Sequence, residues 1–158
     1  MKTITTACLI SLLATSTLAY GKGSPWYMGV KGGFMDAGTG ITDNAINAGL
    51  DIGYQNNRYL STEVEYTRTF IEGETNGGND WEVDTLSVFA ALRSNTKVKL
   101  KGKIGLSNID TGRDDDTELS LGIGIGFWAL GGLTEIEYTQ LSDDDELDFI
   151  SFGVNYYF

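Results

Sequence analysis

The sequence predicts an all-β fold, an eight-stranded antiparallel up-and-down transmembrane β-barrel, on three observations. Polar and apolar residues alternate with period two in eight segments of roughly ten residues, the length a tilted strand needs to cross a bilayer. The connections between the segments alternate between long and short. Bulky apolar side chains share one face of each segment, while glycine, small hydroxyl residues and charge share the other. An eight-stranded barrel has room inside only for the second set, so the apolar face must look outward.

The elements follow in order. Trp26 to Met35 sets Trp26, Met28, Val30 and Phe34 against Tyr27, Gly29, Lys31 and Gly33. Ile46 to Gln55 sets Ala48, Leu50, Ile52 and Tyr54 against Asn47, Gly49, Asp51 and Gly53, and Asn56-Asn57 makes a short turn. In Tyr59 to Phe70, Leu60, Val64, Tyr66 and Phe70 oppose Ser61, Glu63, Glu65 and Thr67, before a loop rich in glycine and asparagine. Val83 to Arg93 alternates Leu86, Val88, Ala90 and Leu92 with Thr85, Ser87, Phe89 and Arg93, and a turn at Ser94-Asn95-Thr96 follows. The pattern is clearest in Lys97 to Leu106, where Val98, Leu100, Ile104 and Leu106 alternate with Lys97, Lys99, Lys101 and Lys103. Glu118 to Phe127 opposes five large apolar residues to Ser120, Gly122, Gly124 and Gly126, with a turn expected at Gly131-Gly132. Leu133 to Gln140 sets Thr134, Ile136 and Tyr138 against Glu135, Glu137 and Thr139. Phe149 to Phe158 completes the set, with Ile150, Phe152, Val154, Tyr156 and Phe158 opposed to Ser151, Gly153, Asn155 and Tyr157.

What precedes the strands reads as an export signal. Met1-Lys2 gives a positive start, Ala7 to Leu13 a brief apolar run, and Thr17-Leu18-Ala19 a small-residue exit. The apolar run is too short for a membrane-spanning helix, which needs about 20 residues. Residues 1–19 are therefore expected to be a cleaved signal peptide and residues 20–158 the barrel domain. A buried N-terminal helix is the competing reading of the same stretch.

Composition narrows the chemistry. The only cysteine, Cys8, falls in the signal, and the 158 residues hold no histidine. No disulfide framework, thiolate metal site or thiol nucleophile is expected, and the commonest general base and metal ligand is missing. No cofactor and no catalytic residue is expected. The net charge of −11, from 22 acidic and 11 basic residues, makes nucleic acid a poor partner. The 21 glycines with a single proline suit closely packed strands rather than a flexible linker.

Placing the polar face inside assigns the charges a role. Lys31, Arg93, Lys99, Lys101 and Lys103 would meet Asp51, Glu63, Glu65, Glu118, Glu135 and Glu137 in the lumen, since buried charges of two signs must pair. Counted from the short turns, Lys31, Asp51, Glu63, Lys101, Glu135 and Glu137 fall at one depth. Lys31 and Asp51 stand on neighbouring strands. Lys101 lies beside the glycines of the sixth strand, which leave it room to reach Glu63 or Glu135. Outward aromatics gather at strand ends, among them Trp26, Tyr54, Tyr66, Phe70, Phe127, Trp128, Tyr138 and Tyr156, as interfacial girdles do. A soluble, lipocalin-like barrel with an apolar interior is the competing fold.

With the strands placed, a resemblance appears. Trp26-Tyr27-Met28-Gly29-Val30-Lys31-Gly32-Gly33 resembles the first strand of the OmpA-type transmembrane domain, within the small porin-like outer-membrane barrels. Gly49 to Leu60 (GLDIGYQNNRYL) resembles that domain's second strand, turn and third strand. The ending Phe152-Gly153-Val154-Asn155-Tyr156-Tyr157-Phe158 resembles the carboxy-terminal signal that the barrel-assembly machinery reads, with Phe152, Tyr156 and Phe158 as its aromatic positions. The resemblance implies residence in the bacterial outer membrane, contact with its lipid and lipopolysaccharide, and existence as a monomer. It further implies that Lys31 and Glu63 match lumenal residues whose salt-bridge exchange gates a narrow pore in the family. No peptidoglycan-binding domain is expected after the barrel.

Three functions are weighed. The first is a non-enzymatic barrel with a structural or surface-interaction role and at most a narrow pore, or, as a variant, an ion-conducting porin. The second, a lipid-modifying enzyme, lacks the histidine that its triad needs, and the alternate carboxylates Glu135 and Glu137 read better as interior ion pairs. The third is binding through acidic loops. Asp114, Asp115 and Asp116 form one run and Asp143, Asp144 and Asp145 another, and such oxygen-rich runs suit divalent cations or an adhesive role, although the spacing is not that of an EF-hand.

Overall fold

The structure, a computed structural model, describes residues 25–38, 41–112, 115–142 and 147–158. The expected signal peptide lies outside the described residues. Among the described residues eleven strands form in chain order: β1 (Trp26–Asp36), β2 (Ile41–Asp43), β3 (Ala45–Gln55), β4 (Leu60–Ile71), β5 (Gly73–Thr75), β6 (Asp80–Trp81), β7 (Asp84–Arg93), β8 (Lys99–Asp110), β9 (Asp115–Ala129), β10 (Gly132–Ser142) and β11 (Leu147–Tyr157). Eight of them close into a barrel in the order β1-β3-β4-β7-β8-β9-β10-β11, each antiparallel to its neighbours. Closure is made by β1 on β11, in register from Tyr27↔Tyr157 to Asp36↔Asp148. A closed sheet leaves no unpaired edge, the condition a wall in lipid must meet.

The faces point as the alternation requires. Leu100 is 62% exposed and Ile123 67%, whereas Lys101 is 5% exposed and Glu63 1%. The outer wall thus carries the aliphatic residues, with aromatics at both ends. At the end holding the short turns, Trp26 and Tyr54 pack edge to face with ring centres 5.0 Å apart.

Two local expectations are corrected. The turn between β9 and β10 is Leu130-Gly131, both with positive φ (55° and 79°), rather than Gly131-Gly132. Two such residues make the tight hairpin whose twist matches the strands it joins. Gly132 opens β10 instead, and a Cβ there would stand 2.6 Å from the Asn155 carbonyl oxygen. The second correction concerns connection length. The connections after β8 and β10 are shorter than expected, because β8 runs on to Asp110, β9 begins at Asp115, and β10 and β11 reach Ser142 and Leu147. Backbone pairing needs no apolar face, so the ladder continues past the point where hydrophobic alternation stops. The two genuinely long connections, β1 to β3 and β4 to β7, carry the small sheet β2-β5-β6.

Candidate functional site

The lumen is built in layers from inward positions of the barrel strands. Nearest the short turns, Tyr27 and Leu133 are fully buried. Tyr27 stacks at 4.9 Å on Tyr157, which in turn packs at 5.6 Å against Trp128.

The charged layer lies next. Arg93 on β7 is its turn-side anchor. Its Nε and Nη2 donate to Glu135 Oε1 and Oε2, both at 3.0 Å, a bidentate clamp, and its Nη1 lies 2.6 Å from Glu63 Oε1. Lys101 Nζ stands 2.7 Å from Glu63 Oε2, 3.0 Å from Glu137 Oε2 and 3.6 Å from Glu135 Oε2. Lys103 Nζ contacts both oxygens of Glu65 at 2.9 Å and Glu137 at 3.2 Å. Lys31 Nζ contacts Glu65 at 2.9 Å and Glu137 at 3.6 Å. Four cations and four glutamates therefore interlock, each glutamate touching at least two cations. Fully desolvated charges are tolerable only in such company.

Neutral groups finish the satisfaction of this layer. Tyr27 Oη donates to Glu63 Oε1 at 2.5 Å, Asn155 Nδ2 donates to Glu135 Oε2 at 2.7 Å, and Ser61 Oγ accepts from Arg93 Nη1 at 2.7 Å. Lys103 also lies 4.2 Å from the centre of the Phe89 ring, a cation–π contact. The room comes from glycine. In β9, Gly122 and Gly124 stand opposite Lys103 and Lys101, and Gly124 and Gly126 stand opposite Glu137 and Glu135. A Cβ on any of the three would meet those side chains at 2.6 to 2.9 Å.

Three expected members stand apart from the network. Lys31 does not pair with Asp51. The register sets Lys31 against Gly49 and Asp51 against Gly29, so the lysine crosses the bare backbone of Gly49 to reach Glu65 on β4. Asp51 is buried yet makes no ion pair among the described residues. Its carboxylate oxygens lie over Gly29, 2.4 and 2.8 Å from where a Cβ would stand, beside Asn155 Oδ1, which itself finds no donor. Lys99 lies one step nearer the turns than the clamp, half-buried and without an ion pair among the described residues. Glu118 sits at the loop end and makes no ion pair among the described residues.

Beyond the charges comes a hydroxyl layer, in which Thr67 and Thr85 share a hydrogen bond at 2.7 Å and Ser87, Ser107 and Ser120 form a chain at 2.6 and 2.7 Å. Above it an apolar plug fills the barrel: Met35, Ala45, Val83, Ile109, Leu141, Leu147 and Phe149, all buried. The plug is absent from the sequence reading because three of its members, Met35, Val83 and Phe149, are end residues of the expected strands and the other four fall beyond them. Extending the period-two count by a few residues on each strand is the signal that finds them.

Of the acidic loop candidates, Asp114, Asp143, Asp144 and Asp145 lie outside the described residues. Asp115 accepts a hydrogen bond from Asn108 Nδ2, and Asp116, its neighbour, stands opposite Ile109. Among the described residues no group of three or more ligating side chains could hold a metal. Phe152, Tyr156 and Phe158 lie exposed on the outer wall.

A family model described as "Outer membrane protein beta-barrel domain" matches residues 5–158. No curated relative matches the sequence. Among solved structures, a de novo designed transmembrane β-barrel aligns with a TM-score of 0.59 at 17% identity, over 89% of this chain and 100% of the design. The Neisserial surface protein NspA aligns with a TM-score of 0.55 at 17% identity, over 86% of this chain and 99% of NspA. The Yersinia pestis protein Ail, in a phospholipid nanodisc, aligns with a TM-score of 0.53 at 19% identity, over 87% of this chain and 100% of Ail. At these identities the likeness is one of fold.

Proposed function

The chain belongs to the outer membrane protein β-barrel family, and on that premise we propose that it is a sealed, non-enzymatic barrel whose work is done at its outer surface. It resides in the bacterial outer membrane, where the lipid-facing wall meets hydrocarbon and the girdles meet headgroups. Residues 1–19 serve export in this reading, and the aromatic ending at Phe158 is the feature the assembly machinery engages.

One observation carries the proposal: the lumen is blocked twice. The interlocked charges occupy the middle, and the apolar plug from Met35 to Phe149 occupies the loop end. An ion moving through would have to displace paired charges and then cross a dry apolar section, where its desolvation is unrecovered. What remains for interaction is the loop end, which in this family architecture faces outward. Planar-bilayer recording tests the proposal. The purified barrel is expected to give no unitary conductance steps. Regular steps abolished by Glu63→Gln would instead support a narrow pore controlled by the charged layer.

A further inference from the structure

Above the plug the barrel opens into a cavity of about 760 Å³, within the range of sites that hold small ligands. Its floor is the top of the plug, presented by Val83, Ile109 and Leu147. One wall comes from the β4–β7 connection and carries Asp80, Trp81 and Glu82. The facing wall comes from β9 and carries Asp116 and Glu118.

The first wall is built rather than loose. The Trp81 indole N–H donates to the Asp43 carbonyl oxygen at 3.3 Å, tying β6 to the other outer connection. Gly73 makes space for that ring, since a Cβ there would stand 2.2 Å from Trp81 Nε1. Thr75 closes the β5–β6 hairpin, its N–H donating to the Asn79 carbonyl at 2.9 Å and its Oγ1 accepting from the Asn79 N–H at 3.2 Å.

Among the described residues that line the cavity the charge is one-sided: four are carboxylates, none is lysine or arginine, and none of the four makes an ion pair with another described residue. Like charges held around one opening above an apolar floor repel each other more than they would in free water. An occupant that brings positive charge relieves that repulsion, and one that also brings an apolar side chain covers the floor. The Trp81 ring adds a face for a cation. An anionic ligand is repelled, and a bare polyamine leaves Val83, Ile109 and Leu147 wet.

We propose that this cup is a binding site for a basic peptide segment that carries a large apolar side chain next to lysine or arginine. The proposal rests on the closed-lumen reading, which makes the cup a terminal chamber rather than the vestibule of a pore.

The test uses the full barrel in zwitterionic nanodiscs and fluorescence anisotropy of three labelled tripeptides: Lys-Phe-Lys, Lys-Gly-Lys and Glu-Phe-Glu. Lys-Phe-Lys is expected to bind, Lys-Gly-Lys to bind at least about tenfold more weakly, and Glu-Phe-Glu not to bind. Glu82→Gln with Glu118→Gln is expected to weaken Lys-Phe-Lys by at least about tenfold, and raised salt to weaken it further. Absence of Lys-Phe-Lys binding, equal binding of Glu-Phe-Glu, equal binding of Lys-Gly-Lys, or an unaffected double variant would each overturn the proposal. Empty nanodiscs remove lipid partitioning, and retained heat-modifiable gel mobility shows that the variant is folded. Failure here with a silent bilayer removes the cup alone, whereas conductance steps with binding intact remove the closed-lumen reading alone.

Discussion

Arg93 and Asp51 show how differently two buried charges can stand in one lumen. Arg93 binds Glu135 in bidentate fashion, touches Glu63 at 2.6 Å and donates to Tyr27 and Ser61, so nearly every guanidinium donor has a fixed acceptor. Arg93→Ala leaves two glutamates sharing Lys101, and the expected loss is about 3–5 kcal/mol, as when one partner of a buried pair is removed. Asp51 has no cation to lose, and faces the orphan Oδ1 of Asn155. Asp51→Asn keeps the shape, removes a surplus negative charge and supplies an N–H₂ that can donate to that oxygen. The Asp51→Asn barrel is therefore expected to be no less stable than the parent. Equilibrium urea unfolding in lipid vesicles, followed by tryptophan fluorescence, measures both. Equal losses in the two variants would mean that the pairing pattern does not govern the lumen's stability.

At the scale of the strand, β8 holds a matched pair of glycines with opposite surroundings. Gly102 points outward, and a Cβ there would meet nothing within 4 Å. Gly105 points inward, and a Cβ there would stand 2.0 Å from the Val88 backbone oxygen and 2.7 Å from the Phe89 ring. Gly102→Ala is expected to assemble normally, with a slight gain in stability from reduced chain entropy. Gly105→Ala forces β7 and β8 apart and is expected to abolish the faster migration of the unboiled protein on gels. The same strand marks what a sequence can disclose. Its lysine–aliphatic alternation from Lys97 to Leu106 is legible because lipid and lumen demand opposite chemistry at successive positions. Its extension through Ser107 to Asp110 is not, because there the outward positions Asn108 and Asp110 turn polar while Ser107 and Ile109 stay buried inside, which reverses the lipid-out pattern that the alternation was read from. Leu130 likewise gives no sign that it takes a positive φ in a turn where glycine or asparagine is the usual choice.

For the molecule as a whole, the layers act in series. The identities of the charged layer were readable, since Lys31, Glu63, Lys101, Glu135 and their partners occupy inward positions of clear alternation. Beyond Lys101, whose reach to Glu63 and Glu135 follows from the glycines beside it, who pairs with whom was not, because it depends on which glycine each side chain crosses. The plug was not readable either, since Ala45, Ile109, Leu141 and Leu147 look like ordinary residues at fraying strand ends. A pathway in series is only as open as its tightest section, and on the closed-lumen proposal the plug and the charged layer each suffice to block it. Exchanging Leu147 and Phe149 for serine hydrates the top but leaves the four-by-four ion network packed below. Exchanging Glu63, Arg93, Lys101 and Glu135 for serine removes two charges of each sign, keeps the balance, and leaves the dry section above. Neither set alone is expected to give conductance steps in a planar bilayer, and the two sets together are. Steps from the serine plug variant alone would show that ions pass the charged layer as it stands. The interior would then be a gated pore with an apolar lid, because only exchangeable pairs can hand an ion onward between them.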